Sequence, residues 1–269
     1  YLSNLGYNVD IYERRPDMRY IDQSAGRSIN LALSKRGIRA LKDIGLYEKI
    51  KSEMIPMEGR MIHNLDGSTH LQKYGQKKNE VIYSISRAYL NTSLMEYSEN
   101  NGNVRIHFEH DLEYIDMNHN KLIFTNHKSV PFNRVLGSDG SSSIIRHGIN
   151  KLCSINFQNK PLLHGYKELS IPSTNSGDFK LEPKALHIWP RGKFMLIALP
   201  NMDGSLTSTL FLPIDGEISF SNIKTKKQIL DLFQEYFPDT LDLFPDLIKT
   251  YQNNPIGTLS TIYCDKWHY

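Results

Sequence analysis

The sequence predicts an α/β chain of two interleaved domains, one wound from alternating helices and strands, the other mainly an antiparallel sheet. Three stretches carry that prediction. Residues 1–13, YLSNLGYNVDIYE, read as a helix end, a glycine and a β-rich strand closing on Glu13. Residues 134–146, RVLGSDGSSSIIR, read as an apolar strand (Val135, Leu136) that stops on Ser138-Asp139-Gly140 and passes through serines into a helix bearing Arg146. Residues 164–213 hold successive strand patterns, HGYKELSIP, ALHIWPR, KFMLIALPN and SLTSTLFLP, punctuated by Ser176-Gly177, Arg191-Gly192 and Asp203-Gly204.

Composition narrows the function classes. With 39% hydrophobic and 23% charged residues, the 269-residue chain is that of a globular protein, large enough for two domains. Thirty-two Lys and Arg against 29 Asp and Glu leave a net charge of +3, too balanced for a nucleic-acid binder. No apolar run has the length of a membrane span. Cys153 and Cys264 stand far apart with no CxxC, so neither a disulfide framework nor a zinc site is expected, and the default setting is cytoplasmic. Both ends read as interior sequence, which gives the expectation of a truncated chain.

Taken in order, the strand over 8–13 leads into a stretch, 14–33, that reads mostly as loop. Ser34 then caps a helix with Ile38, Leu41 and Ile44 at helical spacing and Gly45 at its close. Residues 60–87 form a hairpin turning at Asp66-Gly67, followed by a further strand, and Ser86 caps a helix using Leu90, Leu94 and Tyr97. NVRIHFEH, LEYIDM and KLIFTN are short strands. Met195, Ile197, Leu210 and Leu212 alternate as a half-buried sheet requires, and 226–249 is helical.

Several residues invite chemistry. A carboxylate ending the second strand of a nucleotide-binding βαβ unit, as Glu13 does, accepts ribose hydroxyls. Arg27, between a glycine and a serine, suits phosphate. A two-residue hairpin loop sets Arg60 opposite Lys73; a three-residue loop, Asp66-Gly67-Ser68, sets it opposite Tyr74 and makes a carboxylate clamp. The odd offset of His107 and His110 puts them on opposite strand faces and argues against a shared metal. An acid at a strand-to-helix handover, as at Asp139, lies where ligands bind in open α/β sheets.

The spacing of Glu13, Gly26-Arg27-Ser28, Arg87 and Gly137-Ser138-Asp139-Gly140 through Arg146 resembles the group A flavoprotein aromatic hydroxylases. GRSINLALSKRG, PMEGRMIHNLDG, ISRAYLN and HIWPRGKFMLIALPN are similar to the branch that hydroxylates L-kynurenine. The resemblance implies a p-hydroxybenzoate hydroxylase-like fold: a Rossmann-like FAD-binding domain, 1–58 with 80–158, interleaved with an antiparallel β-sheet substrate domain, 59–79 with 159–269. It implies that Tyr12, Glu13, Arg14, Arg15, Arg27, Ala32, Arg87, Leu112, Asp139, Gly140 and Arg146 contact FAD, with Asp139 orienting the turn before its helix. Arg60 and Tyr74 would clamp the substrate carboxylate, which favours the longer hairpin loop. Leu186, Met195, Ile197 and Phe211 would line the ring pocket. The implied reaction uses NADPH and O2 through a flavin C4a-hydroperoxide, with no covalent nucleophile on the protein.

The family's GxGxxG turn and its later Gly-Asp motif are not in the sequence. Another FAD-dependent aromatic hydroxylase, or a non-catalytic fragment unable to hold FAD alone, therefore stand beside the main reading.

Overall fold

The structure, a computed structural model, describes residues 1–21, 30–77 and 79–269. It divides into two compact units: Tyr1–Asp22 with Met95–Leu162 and Ser260–Tyr269, and Gln23–Leu94 with Leu163–Leu259.

In the first unit, strand β1 (Val9–Tyr12) follows a 3-10 turn closed by Gly6 in the left-handed region at φ 88°. Only a residue without Cβ adopts that conformation without strain. Like most parallel strands, β1 pairs with one distant in sequence, β7 (Val104–His107), in the register Tyr12↔His107. A separate antiparallel sheet is formed by β8 (Leu112–Asp116), β9 (Lys121–Phe124) and β10 (Ser129–Pro131). The helix following Asp139, Ile144–Cys153, packs on β8. Leu122, Phe124 and Ile145 make a small core that Tyr12, Leu112 and Val135 flank.

In the second unit, β2 (Asn30–Leu33), β3 (Ile55–Met57) and β6 (Ile82–Ser86) form an antiparallel sheet ordered β2-β6-β3. Helix α1 (Lys35–Asp43) follows β2, α2 (Tyr47–Ile50) follows α1, and α3 (Arg87–Asn100) follows β6, which makes the helix behind Asp139 α4. The larger sheet holds β4 (Gly59–His63), β5 (Thr69–Lys73), β11 (Phe157–Ile171), β12 (Ala185–Arg191), β13 (Phe194–Pro200), β14 (Leu206–Pro213) and β15 (Gly257–Cys264). Its order is β15-β11-β14-β13-β12-β4-β5. Alternate residues along these strands share a face. Leu169, Trp189, Leu196, Leu210 and Leu212 fill one face, which α5 (Lys226–Tyr236), the 3-10 turn Pro238–Leu243 and α6 (Leu247–Asn253) cover with Ile229, Phe233, Phe237 and Leu247.

Several expectations need correction. Within the stretch read as mostly loop, 14–33, Met18–Tyr20 is a 3-10 turn and Asn30–Leu33 pairs with β6, while 22–29 lie outside the described residues. A cross-strand partner 50 or more positions away gives no local signal. Val135 and Leu136 form no strand, because no described strand lies alongside to hydrogen-bond them, and Leu136 is exposed. Gly177 closes a local turn, not a hairpin between β11 and β12; β11 pairs with β14 instead. Ser34 stands at the N-cap position of α1 without a side-chain cap bond, whereas Ser86 accepts from the Tyr89 N–H at 3.3 Å. Met195 and Ile197 lie on the sheet face opposite Leu210 and Leu212, since Met195 pairs with Phe211 and Leu196 with Leu210. Pro238 and Pro245 interrupt the helical stretch 226–249.

Candidate active site

The hairpin sets the site's first pair. Asp66 accepts from the Ser68 backbone N–H at 2.9 Å and from its hydroxyl at 2.6 Å, and Asn64 N–H bonds the Ser68 carbonyl. Gly67 takes a left-handed φ of 82°. The loop is therefore Leu65-Asp66-Gly67, one residue earlier than the three-residue loop expected, and Arg60 pairs with Gln72 rather than Lys73 or Tyr74. Tyr74 becomes the diagonal neighbour of Arg60, within reach of a long side chain. The guanidinium carbon lies 5.2 Å from the centre of the Tyr74 ring. Gly59 permits this tight ladder, because a Cβ there would come within 2.5 Å of the Gln72 carbonyl oxygen.

Arg60 is exposed and, among the described residues, pairs with no carboxylate. The Tyr74 hydroxyl is buried and makes no hydrogen bond, while the Arg60 guanidinium lies beside the ring. Burial pushes the Tyr74 pKa up, against the opposing effect of Arg60, and the phenol keeps its proton. A free guanidinium fork beside an unused O–H donor is suited to a carboxylate.

The parallel β4–β12 ladder places Arg60 beside Leu186, and β12, β13 and β14 continue that face through Ile188↔Ile197 and Met195↔Phe211. Leu186, Ile197 and Phe211 are half-buried, and Met195 is 38% exposed. All six residues expected at the substrate site thus lie on or beside one sheet face, charged at one end and apolar along the rest.

On the nucleotide side, Glu13 directly follows β1. Its carboxylate accepts from the Arg15 backbone N–H at 2.9 Å and from Arg15 Nε at 2.8 Å. That guanidinium holds the Glu13 pKa below the usual carboxylate value. Arg14 is exposed. Tyr12 stacks on His107, with ring centres 4.7 Å apart, and packs near Leu112 in the small core. His107 and His110 were expected on opposite faces, yet their rings are 5.9 Å apart, because β7 ends at His107 and Glu109 takes a positive φ of 57°.

Asp139 Oδ2 accepts from the N–H groups of Ile144, at 2.7 Å, and Ile145, at 3.2 Å. Ser143 accepts from Arg146 N–H at 3.0 Å. The first donors of α4 are therefore already engaged, and Asp139 acts by shaping the turn. Gly140, at φ 83°, has open space where a Cβ would stand. Arg146 bonds the Ser141 carbonyl and covers the Phe157 ring at 4.9 Å, leaving its buried Nε without a partner. Ala32 is exposed on β2 opposite Ser84, and exposed Arg87 begins α3; both belong to the second unit. Arg27 lies outside the described residues.

Sequence reasoning missed two buried polar clusters in the second unit. Asn30 Nδ2 donates to Ser84 Oγ at 3.0 Å and to the Pro200 carbonyl at 2.9 Å, and His63 meets His187 at 2.8 Å. Their partners lie 54 to 170 residues apart, beyond any local pattern. A polar residue opening or interrupting an apolar strand, as in NLAL and ALHIW, is the one available clue.

No family model matches the chain. Among curated proteins it is 41% identical over 272 residues to kynurenine 3-monooxygenase of Stenotrophomonas maltophilia, covering 99% of this chain and 60% of that protein. It is 42% identical to the Myxococcus xanthus protein of the same name, covering 100% and 59%, and 40% identical to that of Dictyostelium discoideum, covering 100% and 58%. Among solved structures, 2-methyl-3-hydroxypyridine-5-carboxylic acid oxygenase superposes with a TM-score of 0.75 at 16% identity, over 99% of this chain and 67% of that one. PqsL of Pseudomonas aeruginosa, named a probable FAD-dependent monooxygenase, gives 0.64 at 13% identity, over 96% and 68%. These structural likenesses bear out the α/β hydroxylase-type fold. Spanning about 60% of the length of the curated relatives it matches, the chain is a homologue of the proteins named kynurenine 3-monooxygenase.

Proposed function

We propose that the protein is a FAD- and NADPH-dependent monooxygenase that hydroxylates L-kynurenine to 3-hydroxykynurenine. The observation that carries this reading is the single sheet face with Arg60 and the unpartnered Tyr74 hydroxyl at one end and half-buried Leu186, Met195, Ile197 and Phe211 along the rest. An amino-acid substrate with an aromatic ring needs a charged clamp and a dry wall together.

In this reading Arg60 takes the carboxylate through its fork of N–H donors, and the Tyr74 O–H adds a second contact. The apolar face orients the ring and keeps water from the reacting carbon. Residues 59–79 and 159–269 serve the substrate, and 1–58 with 80–158 serve the cofactor. The latter residues fit a dinucleotide: a carboxylate at the end of β1, an open left-handed Gly140 turn, and a buried Arg146 Nε without a partner. Glu13 would meet the adenosine ribose, while the turn shaped by Asp139 would face phosphate-linked groups. When bound, FAD supplies the redox chemistry, taking hydride from NADPH and activating O2. Substrate, O2, NADPH and a proton give hydroxylated product, water and NADP+.

The test is an absorption spectrum of the purified protein with added FAD, then NADPH oxidation in the presence of L-kynurenine. A bound-flavin spectrum with kynurenine-stimulated oxidation and 3-hydroxykynurenine as product is expected. Stimulation by other aromatics but not kynurenine would favour a different aromatic hydroxylase, and failure to bind flavin would favour a non-catalytic chain.

A further inference from the structure

Behind the face that carries Arg60 and Leu186, the same two strands hold a second cluster. His63 on β4 and His187 on β12 turn into the core, with His63 Nε2 2.8 Å from His187 Nδ1. The other ring nitrogen of His187, Nε2, lies 2.9 Å from the Glu182 carbonyl oxygen. A carbonyl only accepts, so His187 carries its proton on Nε2 and accepts at Nδ1. His63 must then donate from Nε2. Its Nδ1 faces Asp239 Oδ2 at 3.3 Å, and that oxygen also accepts from Trp189 Nε1 at 2.7 Å. Trp189 stacks on the His63 ring at 4.0 Å, and Arg191 donates to the His63 carbonyl at 2.9 Å. Among the described residues, Asp239 and Arg191 are the charged side chains acting on His63, and the Glu182 carboxylate acts on His187.

These bonds join strands whose ladder is short. The β4–β12 pairing runs through four residue pairs, Ala185↔Gly59 to Ile188↔Ile62, in parallel. Parallel ladders are slightly weaker per residue, and a one-residue slip sends every side chain to the other face. Such a slip would carry Arg60 away from Leu186.

We propose that the His63–His187 pair is the positioning device of the substrate clamp, registering β4 against β12 from the core side and so holding Arg60 against Leu186 on the opposite face. The proposal rests on the reading that Arg60 receives the ligand carboxylate. With both rings neutral the bond needs one donor and one acceptor, and His187, its Nε2–H held by the Glu182 carbonyl, is the acceptor. Burial, which lowers the pKa of both rings, keeps the pair in that state near neutral pH.

The test titrates L-kynurenine and kynurenamine, the same molecule without its carboxylate, into the protein and its His187→Phe and His187→Asn variants by calorimetry. The unaltered protein should favour kynurenine by roughly tenfold or more. His187→Phe should lose about tenfold in kynurenine affinity and less than about twofold in kynurenamine affinity, and His187→Asn, which restores an acceptor, should recover most of the difference. Equal losses for both ligands, or an unchanged preference, would overturn the proposal. An unaltered protein without any preference would overturn the clamp reading and the proposal with it. Should circular dichroism show His187→Phe unfolded, His63→Gln carries the same comparison.

Discussion

Arg60 lies over Tyr74 and not opposite it: the guanidinium is 5.2 Å from the ring centre while Gln72 holds the cross-strand position. The stack uses the face of the ring and leaves the hydroxyl unbonded. A cation–π contact of this kind holds Arg60 in place without consuming its N–H donors.

Replacing Arg60 by alanine should therefore raise KM for L-kynurenine about tenfold or more, since a charge-assisted contact contributes roughly 1.5–3 kcal/mol. Arg60→Lys should fall between, keeping the charge and losing the fork. Steady-state kinetics on the flavin-loaded protein reads this, and an unchanged KM would remove Arg60 from the site.

Asp139→Ala leaves the N–H groups of Ile144 and Ile145 without their acceptor. A lost helix cap costs about 1 kcal/mol, so the urea midpoint of the first unit should drop. Asp139→Asn should retain most of that stability, because an amide oxygen still accepts. Equal stability of the alanine variant would show that the cap contributes nothing.

The second unit should weaken in acid. Burial lowers the His187 pKa from the usual 6.5 to about 4, and that of His63 also falls. Between those values the unfolded chain binds protons that the folded one does not, so stability is full above about pH 6.5 and is lost as pH falls towards 4. The loss attributable to His187 is on the order of 3 kcal/mol. Denaturant titrations at several pH values measure it, and His187→Asn should flatten the slope; a slope unchanged by that variant would assign the acid loss to other groups.

Lys167 is buried, and its ammonium donates to the Tyr251 and Asn254 carbonyls at 2.7 Å each, closing the end of α6. Lys167→Met keeps the bulk but strips both carbonyls of their donor. A destabilisation of about 1–3 kcal/mol in thermal or urea unfolding is expected, against none if water replaces the ammonium.

Local chemistry was legible in the sequence. Gly6 closes a turn, β1 and β7 are β-rich, and Ser86 caps α3. The register of the hairpin was not legible to the residue, because it depends on Asp66 capturing Ser68 rather than on loop length alone. The candidate substrate residues came from resemblance, and their common sheet face follows from ladders joining strands distant in sequence, such as β4 with β12. The His63–His187–Asp239 cluster depends on three such distant segments, so no spacing rule reaches it.

The most direct measurement incubates the protein with FAD, NADPH, L-kynurenine and isotopically labelled O2 and weighs the product by mass spectrometry. The predicted product is 3-hydroxykynurenine carrying one oxygen atom from O2. Product labelled from water instead, or no hydroxylated kynurenine from protein that has bound flavin, would contradict it.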